Sequence, residues 1–342
     1  MKKTKFMKQL ATYFETFLPL NRQCSQNTIS SYADGFILFF EYFEVKQGKA
    51  LYLIDYKDLT PEVFDEYILW MQCEKRYSPA SQKQRISALT SFLKYASRRE
   101  IAAIPALNSI SESRTPKIPK VHFPYFTGEE MKLLLHIPQC NRKSGSRDMV
   151  LLSLLYDSGA RAQEMCDLCV GDITFGKTSK IRLYGKGNKT REVPVSSDVV
   201  ELLRYYLREN DIALTKERNR PLFSSQRNSK MTTACIRNLV KKYVTLAKAQ
   251  NPSLFLMGQY SPHSFRHSKA VHMVEAGIPL IYIRDFLGHE SVKTTEIYAK
   301  ISQATVSKIL SNRDIPRSEV TIPGSTSDKA HNIPHFLAEA RK

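Results

Sequence analysis

Apolar residues recur every three or four positions through most of residues 1–108, which is the spacing of amphipathic helices. Two of these stretches begin with the pairs Thr60-Pro61 and Ser78-Pro79, in which a hydroxyl side chain can cap a helix and proline suits its first turn. A third stretch follows Asn27, another residue type that caps helices. The pattern therefore predicts an N-terminal helical domain over residues 1–108.

The periodicity stops at residues 109–122, where serine, proline and lysine interrupt the apolar pattern. Such a composition is typical of an extended basic linker. Thr127 and Glu130 then show capping-box spacing, which marks the start of a new helix. We therefore expect a second domain over residues 123–311 and a C-terminal tail over residues 312–342.

The second domain is predicted to be mostly helical, with one β-hairpin. Residues 180–184 and 191–195 have strand character and flank a turn that contains glycine and asparagine. Two later helices are predicted to end at Gly277 and Gly288, and a third follows Ser291. The predicted fold class is therefore mainly α with a small β-sheet.

The net charge of the chain indicates what kind of partner the protein binds. The chain of 342 residues carries 51 lysines and arginines against 33 acidic residues, a net charge of +18. Such an excess attracts a polyanion, with nucleic acid as the first candidate and a membrane surface as the second. No apolar run approaches the roughly 18 residues that span a bilayer. The N-terminus lacks the apolar core of a secretion signal, so we expect a cytoplasmic protein.

Six cysteines are scattered along the chain, which excludes a small disulfide scaffold. Cys166 and Cys169 have the spacing of a zinc-ligand pair, but no second pair stands at a suitable distance in the sequence. The plainer interpretation is two small helix residues one turn apart. We therefore predict no metal and no cofactor.

Several polar motifs in the second domain are candidates for chemistry. An apolar helix is predicted to end at Gly159, and Arg161 opens the next helix two residues later. Both a helix N-terminus and a guanidinium favour phosphate. Lys186 lies at the hairpin tip, from which a lysine can reach a phosphate or donate a proton. Each has an ordinary alternative, because Arg161 can simply pair with Glu164 and basic turns are common.

The remaining candidates are histidines, an arginine and a tyrosine. His263 and Arg266 are three residues apart and share one helix face, so they can act on one phosphate. His263 and His267 have metal-ligand spacing, but the glutamate of an HExxH motif and a clear third ligand are missing. Taken alone, His289 would be a surface histidine and Tyr298 a packing residue.

As an ordered set, these motifs resemble those of the tyrosine recombinase (phage integrase) family, in particular its Xer-like site-specific recombinases. Two runs in the N-terminal part, 27–32 and 86–92, resemble the family's core-binding domain. Ala160 and Phe265 stand where the family usually has leucine, and we interpret both as packing positions. The motifs that carry the resemblance are Gly159-Ala160-Arg161 with Glu164, 185–189, 263–267, 287–289 and 294–298.

The resemblance implies an N-terminal helical core-binding (SAM-like) domain followed by an α+β catalytic domain. It also implies a homotetramer that acts on two DNA sites with inverted-repeat cores, in some systems with a second recombinase as partner. In the family, C-terminal segments pass between neighbouring subunits, which makes residues 312–342 a candidate docking segment; a disordered tail is the alternative.

Family chemistry then implies that Tyr298 attacks the scissile phosphate and forms a 3′-phosphotyrosine without metal or ATP. Two sequential strand exchanges through a Holliday junction complete the reaction. The other implied roles are phosphate clamping by Arg161 and Arg266, proton donation to the 5′-oxygen by Lys186, acid/base chemistry by His263, hydrogen bonding by His289 and orientation by Glu164.

Two other functions are compatible with a similar sequence. A type IB topoisomerase-like enzyme would relax DNA with the same tyrosine, arginine and lysine chemistry. A non-catalytic DNA-binding regulator would carry an altered catalytic residue, and every expected residue type is in its place in this sequence. Among recombinases, dimer resolution, integration and excision all remain open; the long tail favours a mobile element.

Overall fold

The computed structural model describes residues 4–113, 123–138, 143–185, 189–225, 230–292 and 295–299. The chain divides into two compact units, Met1–His122 and Phe123–Lys342. Both are mostly helical and the second holds one small antiparallel sheet, which confirms the predicted fold class. Within the described ranges, no helix is both long and apolar enough to cross a membrane.

Helices build the first unit, and among the described residues hydroxyl side chains cap the start of four of them: Thr4, Ser25, Thr60 and Ser78. Asn27, expected as a cap, instead lies inside the helix that Ser25 caps. Thr60 accepts a hydrogen bond from the Val63 backbone N–H, and Ser78 accepts one from Ser81, as the two serine/threonine–proline pairs predict. A π-helix, Tyr13–Asn21, directly continues the first α-helix. The α-helices are α1 Lys5–Thr12, α2 Gln26–Gln47, α3 Pro61–Cys73, α4 Pro79–Ala96 and α5 Ala103–Glu112.

Aromatic side chains fill the core of this unit. Phe92 of α4 is fully buried, and its ring meets those of Phe6, Tyr13 and Phe36 edge-on at centroid distances of 5.2–5.5 Å. Edge-on geometry aligns the positive ring edge with a negative ring face. Many of the apolar residues whose spacing predicted helices therefore pack the core, although Ile37 and Leu69 stay exposed.

The fifth helix corrects one predicted boundary. α5 continues to Glu112, so the segment assigned to the linker from residue 109 begins inside a helix. The three serines that suggested a loop donate their hydroxyls back to carbonyl oxygens four residues earlier, and this bonding lets serine occupy a helix. Residues 114–122 lie outside the described ranges.

The second unit is a helical domain around a three-stranded antiparallel sheet. The strands pair in the order β1-β2-β3, and the β2–β3 hairpin sets Ile181 opposite Val193 with both side chains buried. The predicted capping box of Thr127 and Glu130 is present. The elements are α6 Gly128–His136, α7 Lys143–Ser158, α8 Ala162–Asp167, β1 Ile173–Thr174, β2 Lys180–Tyr184, β3 Thr190–Pro194, α9 Ser197–Glu209, α10 Thr233–Gln250, α11 Pro262–Glu275 and α12 Leu280–Leu287.

The C-terminal ends of α7 and α12 lie close together, and a glycine follows each of them. Gly159 follows α7 and Gly288 follows α12, both with left-handed backbone angles that glycine adopts without strain. A Cβ atom at Gly159 would lie 2.7 Å from Leu287 Cδ2. The absence of a side chain at residue 159 therefore lets the end of α12 approach the end of α7.

Candidate active site

Three arginines gather around the C-terminal end of α12. The last carbonyl groups of a helix lack intrahelical partners and carry partial negative charge, so they attract cations. Each arginine comes from a different element: Arg161 caps α8, Arg191 lies in β3 and Arg266 in α11. Arg191 Nε, Arg266 Nη2 and Arg161 Nη2 donate to the carbonyl oxygens of Phe286, Leu287 and Gly288 at 3.1, 2.6 and 3.5 Å respectively.

Glu164 is the carboxylate that binds two of these arginines. Arg191 donates through both Nη atoms to the two carboxylate oxygens at 2.8 Å each, and Arg161 Nη1 donates to Oε1 at 2.7 Å. The Arg161 backbone N–H adds a bond to Oε2 at 2.8 Å. Burial alone would raise the pKa of Glu164, but the bonds and charges of Arg191 and Arg161 lower that pKa to about 2. Glu164 is therefore ionised at neutral pH.

Arg266 is held by backbone instead of a carboxylate. Its side chain is only 3% exposed, and its Nη1 donates to the Gly159 carbonyl at 2.8 Å. Burial, with the charges of Arg161 and Arg191, lowers the pKa of Arg266 to about 9, so it stays protonated at neutral pH. Three guanidinium charges against the one carboxylate of Glu164 leave two positive charges in this cluster.

A cavity of about 570 Å³ opens beside the arginines. Two acidic residues also line it, but each already has a partner: Asp285 pairs with Arg284, and Glu290 with Lys189. The surplus charge of the arginine cluster therefore borders a space open to an anion. The lining residues are Arg161, Gly185, Lys189, Thr190, Arg191, Asp285, Gly288, His289 and Glu290.

Tyr298 lies next to this cluster with its hydroxyl bound to a histidine. Its side chain is 3% exposed, and its Oη is 2.9 Å from Nδ1 of His267. Burial raises the pKa of Tyr298, while the charges of Arg266 and Arg161 oppose that shift. The phenol is therefore protonated at neutral pH but lies within the field of two arginines.

Two more histidines surround Tyr298 and Arg266. The His289 ring stacks against Tyr298 with a centroid distance of 6.3 Å, and its Nδ1 lies 3.0 Å from Thr295 Oγ1. Burial, followed by the arginine charges, lowers the pKa of His289 to about 4. His263 has an exposed edge on the first turn of α11, yet the surrounding protein and Arg266 still lower its pKa. Both imidazoles are therefore neutral at pH 7.

Six of the seven predicted site residues belong to this one neighbourhood, and Lys186 lies outside the described residues. Two further residues, Arg191 and His267, also belong to the site, although neither was predicted from the sequence to have a role in it. Arg191 faces inward between exposed Thr190 and Glu192, and a charge on the inward face of a strand is the signal that could have revealed it. His267, considered above only as a metal ligand, instead contacts Tyr298.

Comparison with known proteins gives consistent matches over both units. A model of the phage integrase family matches residues 124–305, and a model of the phage integrase N-terminal SAM-like domain matches residues 11–100. Tyrosine recombinase XerC of Pelotomaculum thermopropionicum is 28% identical over 304 residues, covering 86% of this chain and 94% of the relative. Tyrosine recombinase XerD of Staphylococcus epidermidis is 29% identical, covering 89% of this chain and 97% of the relative.

Solved structures agree on the fold. The XerH site-specific recombinase bound to difH substrate, a pre-cleavage complex, has a TM-score of 0.63 at 22% identity, covering 88% of this chain and 84% of that one. The Tn1549 transposon integrase in complex with circular intermediate DNA has a TM-score of 0.62 at 17% identity, covering 87% of this chain and 95% of that one.

The Glu164 carboxylate generates a stability prediction. Glu164→Gln would leave Arg161 and Arg191 facing each other without the charge that binds both, and breaking a buried pair costs about 3–5 kcal/mol. We expect the free energy of unfolding at pH 7 to fall by about this amount, measured by chemical denaturation followed by circular dichroism. Because the folded pKa of Glu164 is lowered, its stabilisation is complete above pH ~5 and declines as the pH falls toward 2.

Glu217→Gln is the matched control, since Glu217 forms an exposed pair with Arg220 three residues away. It should change the free energy of unfolding by less than about 1 kcal/mol. Equal effects of the two variants, or a gap between wild type and Glu164→Gln that is unchanged at pH 3, would contradict the assigned role of Glu164.

Proposed function

The chain belongs to the phage integrase family and is a tyrosine recombinase, and from this premise we propose that it cuts and rejoins duplex DNA at specific sites with Tyr298 as the nucleophile. One observation carries the proposal: the buried Tyr298 hydroxyl lies within the field of arginines whose charge exceeds that of their carboxylate partner. A tyrosine beside surplus positive charge is suited to attack on a phosphodiester.

The proposed reaction begins when the Tyr298 oxygen attacks the scissile phosphorus. A bond forms between Tyr298 Oη and phosphorus, and the bond between phosphorus and the 5′-oxygen breaks, leaving a 3′-phosphotyrosine and a 5′-hydroxyl. The covalent intermediate conserves the bond energy, so ATP is not needed. The 5′-hydroxyl of a partner strand then reverses the step. Two such exchanges, passing through a Holliday junction, complete recombination.

Arg161 and Arg266 are proposed to bind the non-bridging phosphate oxygens. Negative charge on these oxygens must be stabilised in the transition state, and fixed guanidiniums do so without reorganisation. Two of the five donors of Arg266 serve backbone carbonyls, which fixes its plane and leaves other N–H groups for a ligand. Arg161 is one-third exposed and borders the cavity.

Proton transfers are assigned to the remaining residues. Lys186 is proposed to protonate the leaving 5′-oxygen. His263 is proposed to exchange the tyrosine proton and His289 to donate a hydrogen bond to the phosphate, roles that suit imidazoles that stay neutral at pH 7. Glu164 is proposed to orient Arg161 without reacting, since its oxygens are already occupied by arginine donors.

The proposed partner is double-stranded DNA with an inverted-repeat core site, bound by a tetramer that joins two sites. The net charge of +18 supports a polyanion, and binding should weaken steeply with salt as counterions return to the phosphates. The relatives named XerC and XerD, and structures of XerH and the Tn1549 integrase with DNA, support this choice. We also propose that the protein serves a mobile element and that residues 312–342 dock on a neighbouring subunit. A second recombinase is a further proposed partner.

The decisive experiment first searches the DNA that flanks the gene for an inverted repeat around a short spacer. Two copies of that repeat are then placed on one plasmid and tested for recombination. We expect inversion or excision according to the orientation of the copies, measured by restriction digestion. Relaxation of a plasmid that lacks the repeat, without exchange between paired repeats, would indicate a type IB topoisomerase-like enzyme instead.

Tyr298→Phe tests the nucleophile. The variant should still bind site DNA but form no covalent adduct on a nicked suicide substrate, because the attacking oxygen is gone; denaturing gel electrophoresis measures the adduct. Tyr282→Phe, which alters a tyrosine that is 65% exposed on α12, should behave as wild type. An adduct that persists in Tyr298→Phe would assign the nucleophile elsewhere. No adduct in the wild type would favour the non-catalytic regulator.

Chelation tests the proposed reliance on arginine and lysine instead of metal. Cleavage of the suicide substrate should proceed at the same rate with and without EDTA, because the guanidinium groups stabilise the negative charge of the phosphate. The comparison needs constant ionic strength, since salt alone alters DNA affinity. A loss of cleavage that added Mg²⁺ restores would overturn this account.

A further inference from the structure

We propose that the neutral imidazole of His267 accepts the Tyr298 hydroxyl hydrogen at Nδ1 and thereby positions the nucleophile beside the arginines. The inference rests on the proposed function and adds a residue to it. Its direct support is the distance of 2.9 Å between Tyr298 Oη and His267 Nδ1, made by two side chains 31 residues apart in the sequence.

The His267 ring is itself held in place. Phe123 stacks on it with a centroid distance of 4.2 Å and an interplanar angle of 30°, and the same Phe123 ring meets Tyr298 edge-on at 5.4 Å. The two rings that share the hydrogen bond are therefore packed against one aromatic side chain. A fixed acceptor restricts the Tyr298 hydroxyl to one direction, which is the condition for an oriented attack.

The electrostatics of the site fix which partner donates. Burial, then the nearby His263, Arg266 and His289, lower the pKa of His267 to about 4, so its ring is neutral at pH 7. The Tyr298 phenol keeps its proton because burial raises its pKa. A protonated phenol donates to Nδ1 when the imidazole carries its hydrogen on Nε2.

The hydrogen-bond acceptor His267 and Arg266, which is proposed to bind the phosphate, are neighbours in one helix. His267 follows Arg266 in α11, and the Arg266 guanidinium is held by the carbonyls of Gly159 and Leu287. The backbone of α11 therefore sets the distance between the group that holds Tyr298 and a group proposed to hold the phosphate. This arrangement assigns His267 to positioning the Tyr298 hydroxyl before attack. As the Tyr298 oxygen bonds to phosphorus, its hydroxyl rotates away from Nδ1 and the proton passes to His263.

Replacement by two amides separates this role from packing. Asparagine offers a carbonyl oxygen near the place of Nδ1, whereas the longer glutamine places its amide near Nε2. We expect single-turnover cleavage of a suicide substrate to stay within about threefold of wild type in His267→Asn and to fall about 10- to 100-fold in His267→Gln and His267→Leu, as for a misplaced reacting group. Equal rates in the asparagine and glutamine variants would overturn the proposal.

A matched control lies on the same helix. His272 also holds a tyrosine through Nδ1, at 2.9 Å from the Tyr156 hydroxyl. His272→Asn and His272→Gln should cleave at the same rate as each other once corrected for the folded fraction, measured by thermal unfolding and site-DNA binding. A difference between these two as large as that between the His267 variants would mean that the amide test reports general packing, and would overturn the proposal.

The pH dependence gives a second readout. Because His267 is neutral well below pH 6, the ratio of wild-type to His267→Gln rates should stay constant between pH 6 and pH 8.5. A ratio that falls as the pH drops through ~6.5 would identify His267 as a titrating base and not a positioning residue. Absence of any adduct in the wild type would contradict the proposed function itself, whereas wild-type cleavage with unchanged His267→Gln contradicts only this inference.

Discussion

The site depends on positive charge that is held in place and only partly neutralised. The carbonyl groups at the end of α12 bind three guanidiniums through partial charges, and Glu164 supplies the carboxylate that joins Arg161 to Arg191. Partial charges fix an arginine but leave most of its charge available. A second buried carboxylate would have stabilised the cluster more and left less charge for a phosphate.

Two glycines make that arrangement possible. Gly159 lets the end of α12 come close to the end of α7, and Gly288 turns the chain out of α12 so that its last carbonyls face the arginines. Arg266 then bridges the two helix ends with one side chain. Packing of α12 and assembly of the cationic cluster are therefore coupled, because displacement of α12 would leave the buried Arg266 without the Leu287 carbonyl.

Sequence reasoning succeeded where local rules govern the chain. Most helix caps, the glycine stops and the β-hairpin follow from short segments, although Ser25 and not Asn27 caps α2. Arg161 and His289 lie beside helix ends that such segments define. Arg191 and His267 escaped assignment because their partners are distant in sequence: Glu164 for the arginine and Tyr298 for the histidine. The predicted end of α5 was wrong because a serine hydroxyl can bond to a backbone carbonyl inside a helix or favour a turn outside one. Packing against neighbouring residues decides between the two.

Burial, with help from the charge proposed to bind a phosphate, sets the protonation state of the histidines in the site. Burial and the arginines lower the pKa values of His263, His267 and His289, so the free site holds neutral rings. A phosphodiester bound at Arg161 would bring an opposite charge, which favours the protonated form of a nearby imidazole. The two proposed roles, proton exchange by His263 and positioning by His267, thus fall on different histidines of one helix.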